Sequence, residues 1–178
     1  MFTFSNSSIS IATKNDATTI VTLLNNAYRG EASKKGWTTE AHLIAGDIRS
    51  DELSVLTTMQ QTGSVFLKYV NAEGSIIGCV NLQQQHGSKI YLGMFSVDPN
   101  LQGGGVGKQL LIAAEEYAKH INCSIIYMSV ISVRDELINW YKRHGYADTG
   151  ERRPFNEDGK TGKHLQSLEF MILEKQII

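Results

Sequence analysis

The sequence predicts a mixed α/β fold in a single domain, and three observations lead to this prediction. The chain has 178 residues and is 42% hydrophobic, which is enough for one substantial core and too little for two ordinary domains. Segments with alternating apolar residues, as in strands, are interspersed with segments in which apolar residues recur every three or four positions, as in helices. A glycine-rich loop joins one strand directly to an amphipathic helix.

The chain opens with a predicted strand and helix. Ile9 and Ile11 alternate with small polar residues, which predicts a strand over residues 8–13. Apolar positions at helical spacing predict a helix over residues 17–28. Gly30 follows this segment, and we expect it to end the helix.

Residues 29–40 are polar and contain two glycines, and the sequence leaves two interpretations of them open. In the first, the segment is a loop over a binding site, with Trp37 as its large aromatic side chain. In the second, it is a surface connection in which Thr38 or Thr39 caps a helix that begins at Glu40.

A further helix and a hairpin come next. The helix is expected from about residue 50 to residue 61, since three apolar residues would lie on one side of it: Leu53, Leu56 and Met59. Residues 65–70 and 75–82 read as antiparallel strands, because the turn 71–74 between them has the residues that hairpin turns favour.

The centre of the chain combines two strands with the glycine-rich loop and its helix. A strand is predicted over residues 89–97, with these residues on one face: Tyr91, Gly93, Phe95 and Val97. The glycines at 103–107 lead into a helix that runs to about Ile121. Residues 123–132 are almost continuously apolar, which predicts a strand buried on both faces.

The last part of the chain predicts a helix and a pair of strands. The helix starts near Arg134 and is closed by Gly145. Residues 147–155 and 165–173 are the strand candidates, and the charged segment 156–163 between them is expected to be a mobile loop.

The glycine-rich loop carries the clearest chemical pattern, Gln-x-x-Gly-x-Gly, formed by Gln102, Gly105 and Gly107. A helix entered through glycines leaves its first backbone N–H groups uncovered, so that they can bind an anion at the positive end of the helix dipole. Two better-known phosphate motifs do not fit, because the dinucleotide pattern needs glycine at Lys108 and the P-loop needs Ser or Thr at Gln109.

Together with a second segment, this pattern resembles the GNAT superfamily of N-acetyltransferases. The second segment, residues 140–146, is similar to the family's run of aromatic residue, tyrosine, variable positions, glycine and aromatic residue. The resemblance extends over nearly the whole chain. It implies a mixed, mostly antiparallel central sheet flanked by helices, and transfer of an acetyl group from acetyl-coenzyme A to an amine by direct attack.

The resemblance also implies how acetyl-coenzyme A is bound. Backbone N–H groups of the loop would hold the pyrophosphate, and the Lys108 ammonium would add positive charge. The residues of this segment are Gln102, Gly103, Gly104, Gly105, Val106, Gly107 and Lys108. The end of the preceding strand would pair with the pantetheine arm and polarise the thioester carbonyl through Phe95, Ser96 and Val97. Tyr141 would protonate the departing thiolate or donate a hydrogen bond to it.

One position departs from the family pattern. Where many members have an Asn that hydrogen-bonds the cofactor, this chain has Arg134, whose side chain donates hydrogen bonds but accepts none. Arg134 is a cofactor-binding candidate if it reaches a phosphate. The alternatives are that it caps the approach to its helix or is solvated at the surface.

The acceptor side is the least defined by the sequence. An alkyl ammonium must lose a proton before it attacks, and Glu31, Glu40 and Tyr91 are the candidates for the base. Trp37 is a further candidate for acceptor binding, because the corresponding segment shapes the acceptor pocket in the resembled family. The acceptor is expected to be a small-molecule or peptide amine.

Composition excludes several other functions. A net charge of −1 gives the whole molecule no electrostatic reason to bind nucleic acid or anionic membranes. Cys79 and Cys123 lie far apart in apolar segments, and the histidines lack metal-ligand spacing, so we expect no disulfide framework and no metal. The N-terminus has no signal-peptide pattern and no apolar run reaches membrane-spanning length, which favours a cytoplasmic location.

Two further expectations concern the assembly and the type of function. A homodimer is compatible with the resemblance, but no stripe in the sequence identifies an interface. The alternative to an enzyme is a non-catalytic module that senses acyl-coenzyme A, for which Tyr141 would be dispensable.

Overall fold

The protein is built on a central sheet with helices on both faces, and the computed structural model describes residues 2–177 of it. A 3-10 turn at Lys14–Asp16 precedes the first helix. In chain order the elements are β1 (Ile9–Ile11), α1 (Ala17–Tyr28), α2 (Gly30–Ser33), β2 (Ile44–Ala45), α3 (Glu52–Gln60), β3 (Ser64–Val70), β4 (Ile76–Gln84), β5 (Lys89–Val97), α4 (Val106–His120), β6 (Ile125–Ile131), α5 (Asp135–Arg143), β7 (Ala147–Phe155), β8 (Lys163–His164) and β9 (Leu168–Gln176).

Seven strands form the main sheet in the order β1-β3-β4-β5-β6-β9-β7, and β2 pairs with β8 in a small second sheet. Every neighbouring pair is antiparallel except β5 and β6, which run parallel. The predicted mixed, mostly antiparallel sheet is therefore confirmed.

The helices cover the two faces of the sheet with separate apolar clusters. Helix α4 packs over strands β3 to β6, and its buried Leu110 and Leu111 belong to the larger cluster. Helices α1 and α3 pack chiefly over β3, β4 and β5, where Leu24 and Phe66 are buried. Burying one such side chain stabilises the fold by about 1.5–3 kcal/mol.

Two expectations about the first half of the chain are wrong. No helix begins at Glu40, because residues 41–43 form turns that lead directly into β2. In α3 the expectation for Leu53 is also wrong, since Leu53 is 75% exposed and Val55 is fully buried, whereas Leu56 and Met59 pack against the core as predicted. Asp51 caps this helix by accepting a hydrogen bond from the Ser54 backbone N–H at 2.7 Å. The side of α3 that faces the core is set by the packing of α3 against α1.

The predicted alternation along β5 fails near its end. Met94 has a positive φ of 46°, and the pairing with β4 shifts register between Cys79 and Asn81. As a result Ser96 and Val97 are both buried, although strict alternation would place them on opposite faces.

Strand β6 is not buried on both faces as its apolar sequence predicted. Ile126 and Met128 are buried, whereas Tyr127 and Ser129 are only partly buried. The helices on that face lie chiefly over β3 to β5, so the intervening side chains of β6 retain some exposure.

The two parallel strands separate soon after they pair. The ladder joins Lys89–Tyr91 of β5 to residues 125–127 of β6, yet β5 continues to Val97 and β6 to Ile131. A gap therefore opens between them at their carboxyl ends, which is where α/β proteins bind ligands.

Candidate functional site

Two cavities lie beside the carboxyl-terminal half of β5. The larger has a volume of about 730 Å³ and lies beside the glycine-rich loop and α5. The smaller has a volume of about 250 Å³ and is lined by residues of both β5 and β6. They share one wall, which is formed by Tyr28, Phe95, Leu137 and Tyr141.

The larger cavity brings most of the predicted cofactor-binding residues together. Those that line it are Phe95, Ser96, Val97, Gln102, Gly103, Gly105, Val106, Gly107, Lys108 and Tyr141. Gly104 belongs to the same loop but is absent from the lining. Trp37, predicted for the acceptor, lines this larger cavity and not the smaller one.

The glycine-rich loop presents unpaired backbone donors to the larger cavity. Gly103 and Gly105 have φ values of 89° and 88°, which side-chain-bearing residues rarely adopt. Gly105 is the N-cap of the 15-residue helix α4 and provides no side chain to cap it. Across residues 2–177, the backbone N–H groups of residues 103–108 donate to no other group. This loop therefore fits a diphosphate, which accepts many hydrogen bonds and is favoured by the helix dipole.

Few basic side chains line the larger cavity. Lys108 and Arg143 line it, and neither forms an ion pair within the described part of the chain. Arg152 and Arg153 lie on β7, where Asp148 and Glu151 pair with them. Those two arginines do not contribute to the lining.

Gln102 connects the glycine-rich loop to residues 36–38. Its side-chain oxygen accepts a hydrogen bond from the Trp37 backbone N–H at 2.8 Å, and its side-chain nitrogen donates to the Thr38 hydroxyl at 2.7 Å. A Cβ at Gly36 would lie 2.3 Å from the Gln102 oxygen, so this approach requires glycine. Sequence reasoning missed this contact, because the partners are 65 residues apart.

Aromatic rings form one side of the larger cavity. The ring centroid of Trp140 lies 6.2 Å from that of Trp37, 5.9 Å from that of Phe95 and 5.1 Å from that of Tyr141. This side of the cavity is largely apolar, and it includes Phe95 and Tyr141 of the shared wall.

Tyr141 lies at the junction of the two cavities. Its side chain is buried, and its hydroxyl makes no hydrogen bond to another residue between Phe2 and Ile177. Burial and the neighbouring Tyr28 raise the pKa of Tyr141 well above its usual range. The phenol therefore stays protonated at neutral pH, and its proton is available to a ligand.

Tyr28 is a site residue that the sequence did not reveal. It ends α1, donates a hydrogen bond to the Phe95 carbonyl and lines both cavities. Burial and the Glu40 carboxylate raise the pKa of Tyr28 to about 12. Its position in an apolar helical stripe indicated a core residue, so periodicity alone contained no sign of this role.

The smaller cavity contains a buried ion-pair cluster. Glu40 accepts hydrogen bonds from Arg29 and from Arg134, the second at 3.1 Å. Arg134 also donates to the Thr38 carbonyl at 2.7 Å. The expectation of a solvated Arg134 is wrong, since the residue is 7% exposed. It lines the smaller cavity only, which does not support a contact with a cofactor phosphate.

Of the other two acceptor-side candidates, one lines a cavity and one does not. Tyr91 lines the smaller cavity, and its ring centroid lies 5.2 Å from that of Tyr127. Glu31 lines neither cavity; its side chain is 88% exposed and paired with Lys34. Glu31 therefore has no place in the site.

The described residues contain neither a metal-binding cluster nor a helix suited to crossing a membrane. Residues 2–177 contain no group of three or more His, Cys, Asp or Glu side chains that could hold a metal ion. Over the same residues, none of the helices has the length and apolar character needed to span a membrane.

Comparison with known sequences identifies relatives. The sequence model described as the acetyltransferase (GNAT) family matches residues 22–146. N-acetylaspartate synthetase of Danio rerio is 29% identical over 115 residues, which cover 64% of this chain and 40% of that protein. IAA acetyltransferase of Azospirillum brasilense is 26% identical over 117 residues, which cover 64% of this chain and 76% of that protein.

Solved structures share the fold. The ribosomal-protein-S18-alanine N-acetyltransferase of Escherichia coli is similar with a TM-score of 0.71 at 14% identity, covering 96% of this chain and 93% of that chain. Ard1 of Thermoplasma volcanium is similar with a TM-score of 0.71 at 17% identity, covering 96% and 97%. The family match spans more than half of the chain and includes both the glycine-rich loop and Tyr141. The protein therefore belongs to the acetyltransferase (GNAT) family and is an acyltransferase.

Proposed function

We propose that this enzyme transfers the acetyl group of acetyl-coenzyme A to a primary amine by direct attack. The observation that carries the proposal is the shared wall between the two cavities. A thioester in the larger cavity and an amine in the smaller one would meet at Tyr141. Holding two reactants in contact replaces a bimolecular collision and supplies much of the rate.

The larger cavity has the groups that acetyl-coenzyme A requires. The free backbone N–H groups of residues 103–108 would bind the pyrophosphate, and Lys108 would add positive charge. The end of β5, residues 95–97, has no partner strand on its β6 side and would pair with the pantetheine arm. These roles agree with those that the family generally assigns to the corresponding segments.

Tyr141 would act on the leaving group. The amine nitrogen forms a bond to the thioester carbonyl carbon, and the carbon–sulfur bond then breaks with its electron pair going to sulfur. The Tyr141 phenol would donate its proton to the thiolate, whose charge is otherwise uncompensated in this apolar wall. Its lack of a partner among residues 2–177 leaves that proton free for this step. The nitrogen must lose its second proton to become an amide, and this proton would pass through water to the Tyr141 phenolate and restore the phenol.

The carboxylates predicted as bases receive no support. Glu31 lies outside both cavities, and Glu40 is bonded to two guanidinium groups. We therefore propose that the ammonium proton leaves to water in the smaller cavity before attack.

The names of the relatives refer to amine acceptors of different sizes, from a small molecule to a protein. One refers to N-acetylaspartate, and another to an alanine of a ribosomal protein. These names do not choose between a small-molecule and a peptide acceptor for this chain.

The test is release of free thiol from acetyl-coenzyme A in the presence of a panel of amines. We expect thiol release that depends on an amine, together with thermal stabilisation by acetyl-coenzyme A, since a ligand of the folded state raises its stability. Stabilisation by ATP but not by acetyl-coenzyme A would refute the assignment of the larger cavity. Stabilisation without thiol release across the whole panel would refute the proposed reaction.

A further inference from the structure

The smaller cavity has more positive charge than its own carboxylates balance. Three guanidinium groups line it, those of Arg29, Arg49 and Arg134, against two carboxylates, those of Glu40 and Asp158. A cavity whose lining has one excess positive charge favours a ligand that carries a negative charge.

The imbalance is strongest where the side chains are buried. Arg29 and Arg134 are 2% and 7% exposed, and both bind the single carboxylate of Glu40. A buried charge without a full partner is costly, and a counter-charge from a ligand would offset this cost. Burial lowers the pKa of Arg29, which agrees with incomplete neutralisation by the protein.

Asp158 does not act as the missing partner. Its carboxylate accepts hydrogen bonds from the backbone N–H groups of Lys160 and Thr161, both at 2.8 Å, and from the Thr161 hydroxyl at 2.9 Å. These bonds tie the carboxylate into its own turn. It forms no ion pair with any arginine in the described chain.

Two arginines retain donors for a ligand. The Arg29 Nε–H is buried and has no hydrogen-bond partner among the described residues, and one of its terminal nitrogens makes only a long bond of 3.5 Å to the Thr161 carbonyl. Arg49 forms no ion pair within residues 2–177, and its guanidinium carbon lies 5.8 Å from the ring centroid of Tyr28.

Arg49 lies close to the wall that the two cavities share. Tyr28, over which the Arg49 guanidinium lies, also belongs to the wall that Tyr141 shares between the cavities. A ligand whose anionic end is bound at Arg49 and Arg29 can therefore direct its other end toward Tyr141. With a volume of about 250 Å³, the cavity suits a molecule the size of an amino acid.

We propose that the acceptor is a small amine that also carries a carboxylate, bound by Arg49 and by the free Nε–H of Arg29. The inference rests on the proposed function and narrows its substrate class. The planar guanidinium fork matches the two oxygens of a carboxylate, which makes this group the preferred anion. A phosphonate offers similar oxygens and is a second source of the same chemistry.

The experiment compares matched acceptors in the thiol-release assay. Each of several amino acids is tested beside its carboxamide, its decarboxylated amine and its aminophosphonate analogue. We expect kcat/KM for at least one amino acid to exceed that for its carboxamide by roughly 10-fold to 100-fold, as for a hydrogen-bonded charge pair. Preference for the aminophosphonate would assign the anion site to phosphonates and overturn the choice of a carboxylate.

Arg49→Gln provides the matched variant, because Arg49 is only partly buried and makes no ion pair that its loss would break. We expect KM for the amino acid to rise by roughly 10-fold or more, with little change for the carboxamide. Arg153→Gln, an exposed arginine of β7, is the control and should leave both unchanged. Arg49→Lys should restore part of the loss.

The outcomes separate the two proposals. Equal use of amino acids and carboxamides, or an equal loss for both in Arg49→Gln, would refute the carboxylate site while leaving amine acetylation intact. Efficient acetylation of peptides that lack a nearby carboxylate would refute it in the same way. No thiol release with any amine would instead refute the proposed function itself.

Discussion

The two cavities are built from different parts of the chain. The larger one depends on the backbone, since its unpaired donors are the N–H groups of the continuous segment 103–108. The smaller one depends on side chains, and Arg29, Glu40 and Arg134 reach it from three separate segments. The first should therefore tolerate many side-chain substitutions but not a changed backbone conformation, whereas the second should be sensitive to the loss of a single charge.

The largest effect is expected at Tyr141, where the two cavities meet. Tyr141→Phe removes the only phenol proton that the proposed mechanism uses, so kcat should fall by roughly 10²-fold to 10⁴-fold. The affinity for acetyl-coenzyme A should stay unchanged, because the pyrophosphate donors are not altered. Steady-state kinetics and calorimetric titration measure the two quantities.

Tyr117→Phe is the matched control, because Tyr117 lies on α4 and lines neither cavity. It should change neither kcat nor affinity. If Tyr141→Phe retained the parent kcat, the Tyr141 phenol would have no part in the reaction. The shared wall would then contribute only its shape to the site.

The second effect concerns the free energy of unfolding of the protein, to which the ion pairs of the smaller cavity contribute. Glu40→Ala leaves the two buried guanidinium groups of Arg29 and Arg134 without their carboxylate. Breaking a buried pair by removing one partner costs about 3–5 kcal/mol, which should appear as a lower free energy of unfolding in urea titrations. Glu31→Ala, which removes an exposed carboxylate, should stay within about 0.5 kcal/mol of the parent. Equal stability of the two variants would contradict the charge cluster described for this cavity.

The third effect tests the backbone origin of the larger cavity. Gly105→Ala forces an alanine to adopt a φ of 88° and should cost about 1–2 kcal/mol of stability. Because the loop can relieve this strain by changing conformation, Kd for acetyl-coenzyme A should also rise.

Gly74→Ala provides a close match for this test. Gly74 has a φ of 82° in the β3–β4 turn, and a Cβ at either glycine would meet nothing within 4 Å. The two variants should lose similar stability, but only Gly105→Ala should bind acetyl-coenzyme A more weakly. Parallel losses of affinity would show that general destabilisation, and not loop geometry, determines binding.

The smallest effect concerns the turn beside the smaller cavity. Hydrogen bonds from the backbone N–H groups of Thr161 and Lys160 hold the pKa of Asp158 at about 2. This is below its ordinary value of about 3.9, so the stability from the carboxylate is complete above pH 4 and is lost as the pH falls toward 2. Hydrogen exchange of the Thr161 amide should accelerate, relative to its intrinsic rate, over that interval.

Asp158→Asn should remove most of this pH dependence, because the amide does not titrate. The difference in Thr161 protection between the parent and the variant should therefore shrink as the pH falls below 4. A difference that stays constant from pH 6 to pH 2 would show that the carboxylate charge does not stabilise the turn.

The same contrast explains what the sequence could predict. The glycine-rich loop and its helix were predictable because each is defined by residues that are close in sequence. The order and type of most elements were predictable for the same reason. Tyr141, which lines both cavities, was singled out by the family resemblance of residues 140–146. The buried cluster around Glu40 was not predictable, since no local pattern indicates that residues 29, 40 and 134 meet.

Two local errors have a similar origin. The register shift at Met94 depends on how β4 and β5 fit together, and the apolar alternation of β5 contains no sign of it. The choice between Leu53 and Val55 as the buried side of α3 depends on the approach of α1. In both cases tertiary packing decided between conformations that the sequence alone allowed.

The Gln102 contacts have a consequence for enzyme engineering. Gln102 is bonded to Thr38, the Thr38 carbonyl accepts from Arg134, and Arg134 is paired with Glu40. This chain of contacts runs from the glycine-rich loop beside the larger cavity to the charged side chains of the smaller one. Transplanting the lining of the smaller cavity from another acetyltransferase onto this scaffold would therefore have to take account of Gln102 and Thr38. A graft limited to the lining would keep the contact between Arg134 and Glu40 but would not control the position of the Thr38 carbonyl.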